Sequence, residues 1–388
     1  MTYLTRTVWI VSVVSLLTDT ASEMLYPVMP VYLRSIGFSV VLIGVLEGIA
    51  EATAGLSKGF FGSWSDSAGQ RVPFVRIGYL LSTLSRPLMA VFIQPVWIFF
   101  ARTMDRFGKG IRTAPRDAIL AAESRPESRA RVFGFHRSMD TIGAVAGPAL
   151  ALLYLNFYPG DYRTLFFIAF IPGLLAVLTT LLLREHPLTA TNAARTNPFA
   201  FLSYWKIAPA SYKKLAGGLL FFALFNSSDV FLLLKAKESG LDDRAVIGLY
   251  ILFNLSYVLS AFPMGILADR MGYKRILLFG LLMFAIVYAG LALLSGIWVT
   301  VLFILYGMYW GATEGISRAW IATVAEQRHT ATAIGNFAGM QSLCSLVASS
   351  LTGVLWVSFG GSITFLVTAA ATIGAAIYLI FIPGPEIK

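Results

Sequence analysis

Apolar residues fall in long runs along this chain, separated by short breaks that contain Gly, Pro or Asn. A helix that crosses a bilayer needs roughly 20 apolar residues. At that length the chain gives twelve spans, at 7–33, 40–62, 74–93, 96–121, 132–156, 162–183, 213–235, 244–267, 275–295, 297–321, 332–357 and 361–382. The runs are too long for strands, so the elements are helices. Breaks such as Gln94-Pro95 and Tyr158-Pro159-Gly160-Asp161 mark the turns. One span departs from the pattern. The fourth run holds Arg102, Asp105, Arg106, Lys109, Arg112, Arg116 and Asp117. At about 100° per residue, Asp105, Lys109, Arg112 and Arg116 share one narrow stripe, with Arg102 at its margin. Charges at membrane depth are costly, and they face a polar cavity or one another.

Composition points the same way. Of 388 residues, 57% are hydrophobic and 13% charged, too little polar surface for a soluble fold. The chain is therefore an all-α polytopic membrane protein. A net charge of +10 would suit nucleic acid, but the cations lie mostly between apolar runs, so no nucleic-acid partner is expected. Fourteen loop cations, Arg71, Arg76, Arg129 and Lys274 among them, fall on one side of the membrane against five on the other. The positive-inside rule puts the richer side, with both termini, in the cytoplasm. Met1 to Arg6 is too short and polar for a cleaved signal, so the first span is expected to stay. The single cysteine, Cys344, rules out a disulfide and a Cys-based metal site, and reads as a small buried hydrophobe.

The longest loop is polar, basic and Pro-containing. It divides the chain into two six-helix bundles, 1–183 and 213–388, joined by a cytoplasmic linker at 184–212. The halves share a signature. Gly62, three residues, Asp66, two residues, Gly69 and then Arg71 close the second span. Gly265, Asp269, Arg270, Gly272 and then Lys274-Arg275 close the eighth with the same spacing, roughly two hundred residues on. An internal repeat of this kind is a frequent build for secondary transporters.

This loop resembles the signature between helices two and three of the major facilitator superfamily. The second copy matches it well; the first departs at Ser67 and Gln70, where the family usually has basic residues. Asp19 to Pro27 and Gly110 to Asp117 are similar to a poorly characterised prokaryotic branch. The resemblance implies twelve helices in two pseudo-symmetric bundles, with rocker-switch alternating access. It also implies a gating role for Gly62, Asp66, Gly69, Arg71, Asp117, Gly265, Asp269, Arg270, Gly272 and Arg275. Arg106-Phe107-Gly108-Lys109-Gly110 is similar to the motif associated with proton-coupled members. Gly134, Gly143 and Gly147-Pro148 match most of the antiporter motif, but Ala151-Leu152 stand where two glycines are usual. Close helix packing and a proline kink serve either transport direction.

Other charges extend the candidate set. Asp19 and Glu23 sit one turn apart on the first span, and a carboxylate in a low-dielectric site can exchange protons near neutrality. His136 and Asp140 share a face of the fifth span; they can relay protons or be a satisfied buried pair. With Asp105 and Arg106, these are the proton-coupling candidates. Glu51 and Lys58 on the second span need partners on other helices, and Arg86 on the third is one candidate. If spans one, four, seven and ten line the cavity, as the resemblance implies, the substrate faces Arg102, Lys109, Arg112 and Arg116. On the other half it faces Asn226, Asp229, Glu314 and Arg318, with Tyr250, Asn254 and Tyr257 on one face of the eighth span.

An excess of guanidinium groups suits carboxylate or phosphate ligands. The expected function is proton-coupled secondary transport of a small anionic or zwitterionic organic solute in the cytoplasmic membrane. Efflux by antiport is slightly favoured. The alternatives are import of an organic anion such as a carboxylate siderophore, or a receptor that binds without translocation. No His/Glu metal motif or Ser/His/Asp set is present, so no enzyme, metal site or cofactor is expected. The partners are substrate, protons and membrane lipid, and the protein is expected to be a monomer.

Overall fold

The computed structural model describes residues 4–26, 28–29, 32–33, 36–38, 40–185, 200–241 and 243–382. The first half of the chain contributes α1 (Arg6–Glu23), α2 (Val40–Ala68), α3 (Val72–Val91), α4 (Pro95–Glu123), α5 (Arg129–Phe157) and α6 (Tyr162–Thr180). A short α7 (Ala200–Ile207) follows. The second half contributes α8 (Ala210–Ala223), α9 (Val230–Glu238), α10 (Asp243–Met271), α11 (Tyr273–Leu293), α12 (Ile297–Val324), α13 (Thr330–Phe359) and α14 (Gly361–Ile380). No strand occurs among the described residues. Seven helices there are long and apolar enough to cross a membrane, namely α5, α6 and α10 to α14. The charged α4 is not one of them, and its polar side chains need the interior of a bundle.

The chain forms two compact units that do not coincide with its two halves. One comprises Met1–Glu123, Met139–Ile207 and Glu326–Gly339; the other comprises Ser124–Ser138, Ala208–Ala325 and Met340–Lys388. In the first, α4 packs between α2 and α3, and α6 packs on α1 and α3. In the second, α12 packs between α10 and α11, and α14 packs on α8 and α11. The same arrangement built twice is the internal repeat in three dimensions.

Two elements differ from the pattern of apolar runs. The seventh span is not one helix: α8 ends at Ala223 and α9 starts at Val230. Between them lie Asn226, Ser227, Ser228 and Asp229, all weak helix formers, and the side chains of Asn226 and Asp229 bond tyrosines of α12. The linker also contains α7, which buries Phe201 and Tyr204, three residues apart on one face. Residues 186–199 of that linker lie outside the described residues.

Helix ends are closed by charged side chains from other elements. The Glu185 carboxylate accepts from Arg71 N at 3.1 Å and Val72 N at 2.7 Å, capping α3. Arg76 donates to the carbonyls of Thr180 and Leu183 at the end of α6, and Lys274 reaches Ile380 O at the end of α14. Outside the spans, Asp161 accepts from Tyr154 Oη and from Thr164 N at the start of α6. Those hydrogen bonds, Tyr154's foremost, hold its carboxyl below the usual carboxylate range.

Small residues set how closely the helices meet. A Cβ on Gly143 would stand 2.5 Å from Leu16 O, and one on Gly147 would stand 2.5 Å from Thr20 O. Only glycine lets α1 lie directly on the middle of α5. Gly147→Val should therefore force the helices apart at a cost of about 1–3 kcal/mol. Thermal unfolding and size exclusion in detergent are expected to show an earlier melt and loss of monodispersity. Gly217→Ala, whose added carbon meets only Tyr378 Oη at 4.0 Å, should change neither.

Candidate functional site

The charged stretch of α4 opens onto a polar cavity inside the first unit. Asp19, Ser22, Glu23, Leu25, Tyr26 and Met29 line it from the first span. Arg86 and Met89 come from α3, and Arg102, Asp105, Arg106, Lys109 and Arg112 from α4. Its wall thus holds five cations and three carboxylates. About 60 Å³ is open to the centres of water-sized molecules, room for a small polar group.

Several of these charges are held in place by one another. Arg102 Nη1 donates to Asp105 Oδ2 at 3.3 Å, and Arg106 lies 3.9 Å from the same carboxylate. Arg106 also meets Glu51 of α2 at 3.4 Å, so Glu51 has its partner on α4 and not in Arg86. Arg86 is buried and donates instead to Ser22 Oγ at 3.0 Å and Thr18 O at 3.4 Å, tying α3 to α1. Arg112 donates to Ser82 Oγ at 2.6 Å and lies over the Tyr79 ring at 4.5 Å. A neutral hydroxyl and an aromatic face orient that guanidinium without neutralising it. Lys109 is exposed.

Arg116 stands apart from this cavity. It pairs with the fully buried Asp117 at 2.9 Å and donates to Ser15 Oγ at 3.2 Å. Ser15 in turn donates to Asp140 of α5. The stripe of α4 therefore divides by depth. Arg102 to Arg112 face the cavity, while Arg116 and Asp117 join the α1–α5 seam.

A second cluster lies in the other unit. Tyr306 Oη donates to Asp229 at 2.6 Å, and Asn226 Nδ2 donates to Tyr309 Oη at 3.0 Å, so the break between α8 and α9 is bound to α12. Glu314 collects Tyr257 Oη at 2.5 Å, Arg318 at 3.0 Å and Arg137 at 3.2 Å. Asn254 donates to Tyr250 O on its own helix. His136 is fully buried.

The two loop signatures do the same work in each unit. Gly69 and Gly272 have φ of 64° and 93°, a left-handed turn that glycine adopts without strain. Asp66 accepts from Thr332 N at 2.7 Å and Thr332 Oγ1 at 3.0 Å, capping the start of α13, and pairs with Arg71 at 3.2 Å. Asp269 accepts from Ala130 N at 3.0 Å, Arg131 N at 3.1 Å and Arg131 Nε at 2.7 Å, capping the start of α5. A Cβ on Gly62 would stand 2.5 Å from Ala331 O, and one on Gly265 would stand 2.6 Å from Ala130 O. Arg270 and Arg275 are exposed.

The residues that sequence reasoning left out are mostly neutral. Ser15, Ser82, Tyr79, Tyr306, Tyr309 and Thr332 orient or bind the charged groups. Tyr306 and Tyr309, three apart and polar-tipped in an apolar span, offered a signal; the serines offered none.

A family model described as Major Facilitator Superfamily matches residues 11–335 and 215–388. An uncharacterized MFS-type transporter of Methanocaldococcus jannaschii is 32% identical over 98% of this chain and 95% of its own length. A multidrug resistance protein of Cronobacter sakazakii is 26% identical over 34% of this chain and 32% of its own length. Among solved structures, a human organic anion transporter has a TM-score of 0.80 at 16% identity, covering 96% of this chain and 99% of that one. The fucose:proton symporter of E. coli has a TM-score of 0.78 at 12% identity, covering 98% and 100%. At such identities the two structures share the fold alone.

The caps lend themselves to a direct check. Asp66→Ala would leave Arg71 buried without its carboxylate and the start of α13 without its acceptor, at a cost of about 3–5 kcal/mol. Asp66→Asn keeps an acceptor for Thr332 and should cost less. Differential scanning fluorimetry in detergent is expected to rank the melting temperatures wild type, Asn, Ala; equal values would contradict the capping account.

Proposed function

The chain belongs to the major facilitator superfamily, and from that premise we propose that it couples protons to the transport of a small organic anion or zwitterion. Proteins of this superfamily are transporters and not enzymes, and this one is a multi-pass membrane protein that carries out secondary transport of a small molecule. The observation behind the substrate class is the excess of cations in the cavity wall, five against three carboxylates. Arg102 and Arg106 are engaged by Asp105 and Glu51. Arg112 and Lys109 carry the positive charge offered to a ligand, Arg112 with a hydroxyl and an aromatic ring as its direct contacts. A carboxylate or phosphate entering such a partly desolvated site gains charge-assisted hydrogen bonds that water cannot match. In the other unit, Arg318 and Arg137 beside Glu314, with Asp229 and Tyr306, form a second mixed-charge, aromatic cluster.

Proton coupling rests on Asp19 and Glu23, acids in the same cavity wall as the ligand cations. Protonation there changes the charge the substrate meets. The reading places the protein in the cytoplasmic membrane as a monomer, with the basic loops and both termini in the cytoplasm, cycling by alternating access. Efflux is supported by the partial likeness to a multidrug resistance protein and by the glycine pattern of α5, although those glycines also serve plain packing against α1. Import of an organic anion fits the same cavity.

Two measurements bear on this. Thermal-shift binding with citrate, malate and glycerol phosphate, against the lipophilic cation tetraphenylphosphonium, is expected to stabilise wild type with at least one of the anions. Arg112→Ala should weaken that binding by about ten- to a hundred-fold, as expected for losing about 1.5–3 kcal/mol of charge-assisted hydrogen bonding. Stabilisation by the cation alone would sink the anion reading. In proteoliposomes, flux of the bound anion should respond to an imposed pH gradient, and its sign separates efflux from uptake. Flux indifferent to gradients of either sign would rule out proton coupling.

A further inference from the structure

The second unit holds a carboxylate with no cation beside it. Asp229 lies in the break between α8 and α9, accepts from Tyr306 Oη at 2.6 Å, and makes no ion pair among the described residues. Three more oxygens are buried with no hydrogen-bond partner there: Asn226 Oδ1 and Ser227 Oγ in the break, and Tyr288 Oη on α11. Ser227 is 5% exposed and Tyr288 0%, so bulk water does not satisfy them. Packing brings these groups to one level. Near the start of α8, Lys214 O accepts from Tyr378 Oη, and Lys274 at the start of α11 donates to Ile380 O, so both helices begin beside the end of α14 and run the same way. The chain turns back at Gly296 into α12. Phe222 of α8, Phe284 of α11 and Tyr309 of α12 then form one aromatic layer, with ring centroids 4.8 to 6.1 Å apart. One turn beyond it come Asn226, whose amide still bonds Phe222 O, Tyr288 on α11 and Tyr306 on α12.

A buried carboxylate without a counter-charge is costly, and so is each buried oxygen left without a partner. One hard cation answers all four groups, because carboxylate, hydroxyl and amide oxygens are the ligands such ions take. The end of α8 lies at this level, and the partial negative charge of a helix C-terminus adds to the attraction. One carboxylate balances one positive charge. No group of three His, Cys, Asp or Glu able to hold a metal occurs among the described residues, so the donor set is neutral oxygens around a single acid. We infer that Asp229, Asn226, Ser227 and Tyr288 form a binding site for a monovalent alkali cation at the α8–α9 break. The bound cation neutralises Asp229 and supplies the missing partner of the three oxygens. Because Tyr306 holds the same carboxylate, the cation also ties the break to α11 and α12. The site belongs entirely to the second unit, and it does not depend on the anion or the proton reading.

Thermal unfolding of the full chain in detergent, at fixed pH and ionic strength, tests the site without any substrate. Sodium, lithium and potassium chloride are titrated in exchange for choline chloride. At least one of the alkali cations is expected to raise the melting temperature along a saturating curve. Asp229→Asn should abolish that response. Ser227→Ala, a smaller change that keeps the acid, should raise the half-saturating cation concentration about ten-fold, as expected for the loss of one oxygen ligand. Stabilisation that follows total salt, with choline as effective as the alkali cations, overturns the inference. Stabilisation by falling pH with no response to any alkali cation overturns it as well, because a proton then neutralises Asp229. A full cation response in Asp229→Asn, or an unchanged half-saturating concentration in Ser227→Ala, places the ion elsewhere and overturns it too.

Discussion

Burying a guanidinium or ammonium group in an apolar bundle is so unfavourable that everything near it must answer to it. The charged stretch of α4, with seven charged residues between Arg102 and Asp117, sets that demand, and the first unit is arranged to meet it. Asp105 and Glu51 take Arg102 and Arg106, Asp117 takes Arg116, and Ser82 with Tyr79 takes Arg112. These partners lie on α2, α3 and α4 itself. That fits the position of α4 between α2 and α3. Partnering is uneven, however. Where an acid answers the cation the charge is structural, and Arg112, whose direct contacts are a hydroxyl and a ring, is the cation that the proposed function offers to an anion.

The loop signatures show the same economy applied to backbone. Each Asp, Asp66 or Asp269, accepts the first amides of a helix from the other half of the chain, α13 or α5. Each glycine one turn earlier admits a carbonyl of that same helix start. Such caps hold only while the helix start stays within hydrogen-bond reach. The α1–α5 seam is built by a related device, glycine on one helix against backbone on the other, with Asp19 and Asp140 at the crossing.

Much of this was legible in the chain itself. Run length and polar breaks located most of the helices, and the spaced Gly, Asp and Gly of the two loops gave the repeat. The stripe on α4 announced a polar cavity or mutually paired charges, and both occur along it. The break at Asn226 to Asp229 was visible as polarity but was read as part of a continuous span. Weak helix propensity and side-chain bonds to α12 outweighed apolar run length there.

What the sequence by itself determined was everything governed by local order: span length, helical periodicity, the repeat, and which helix carries the surplus charge. Those follow from hydropathy and turn geometry, which act over a few residues. Which charge meets which partner was decided only by tertiary structure. Glu51 meets Arg106 and not Arg86, Ser15 meets Asp140, and Asp66 finds Thr332 across most of the chain. Electrostatic pairing depends on distance in space, and one sequence carries no measure of that until the helices pack.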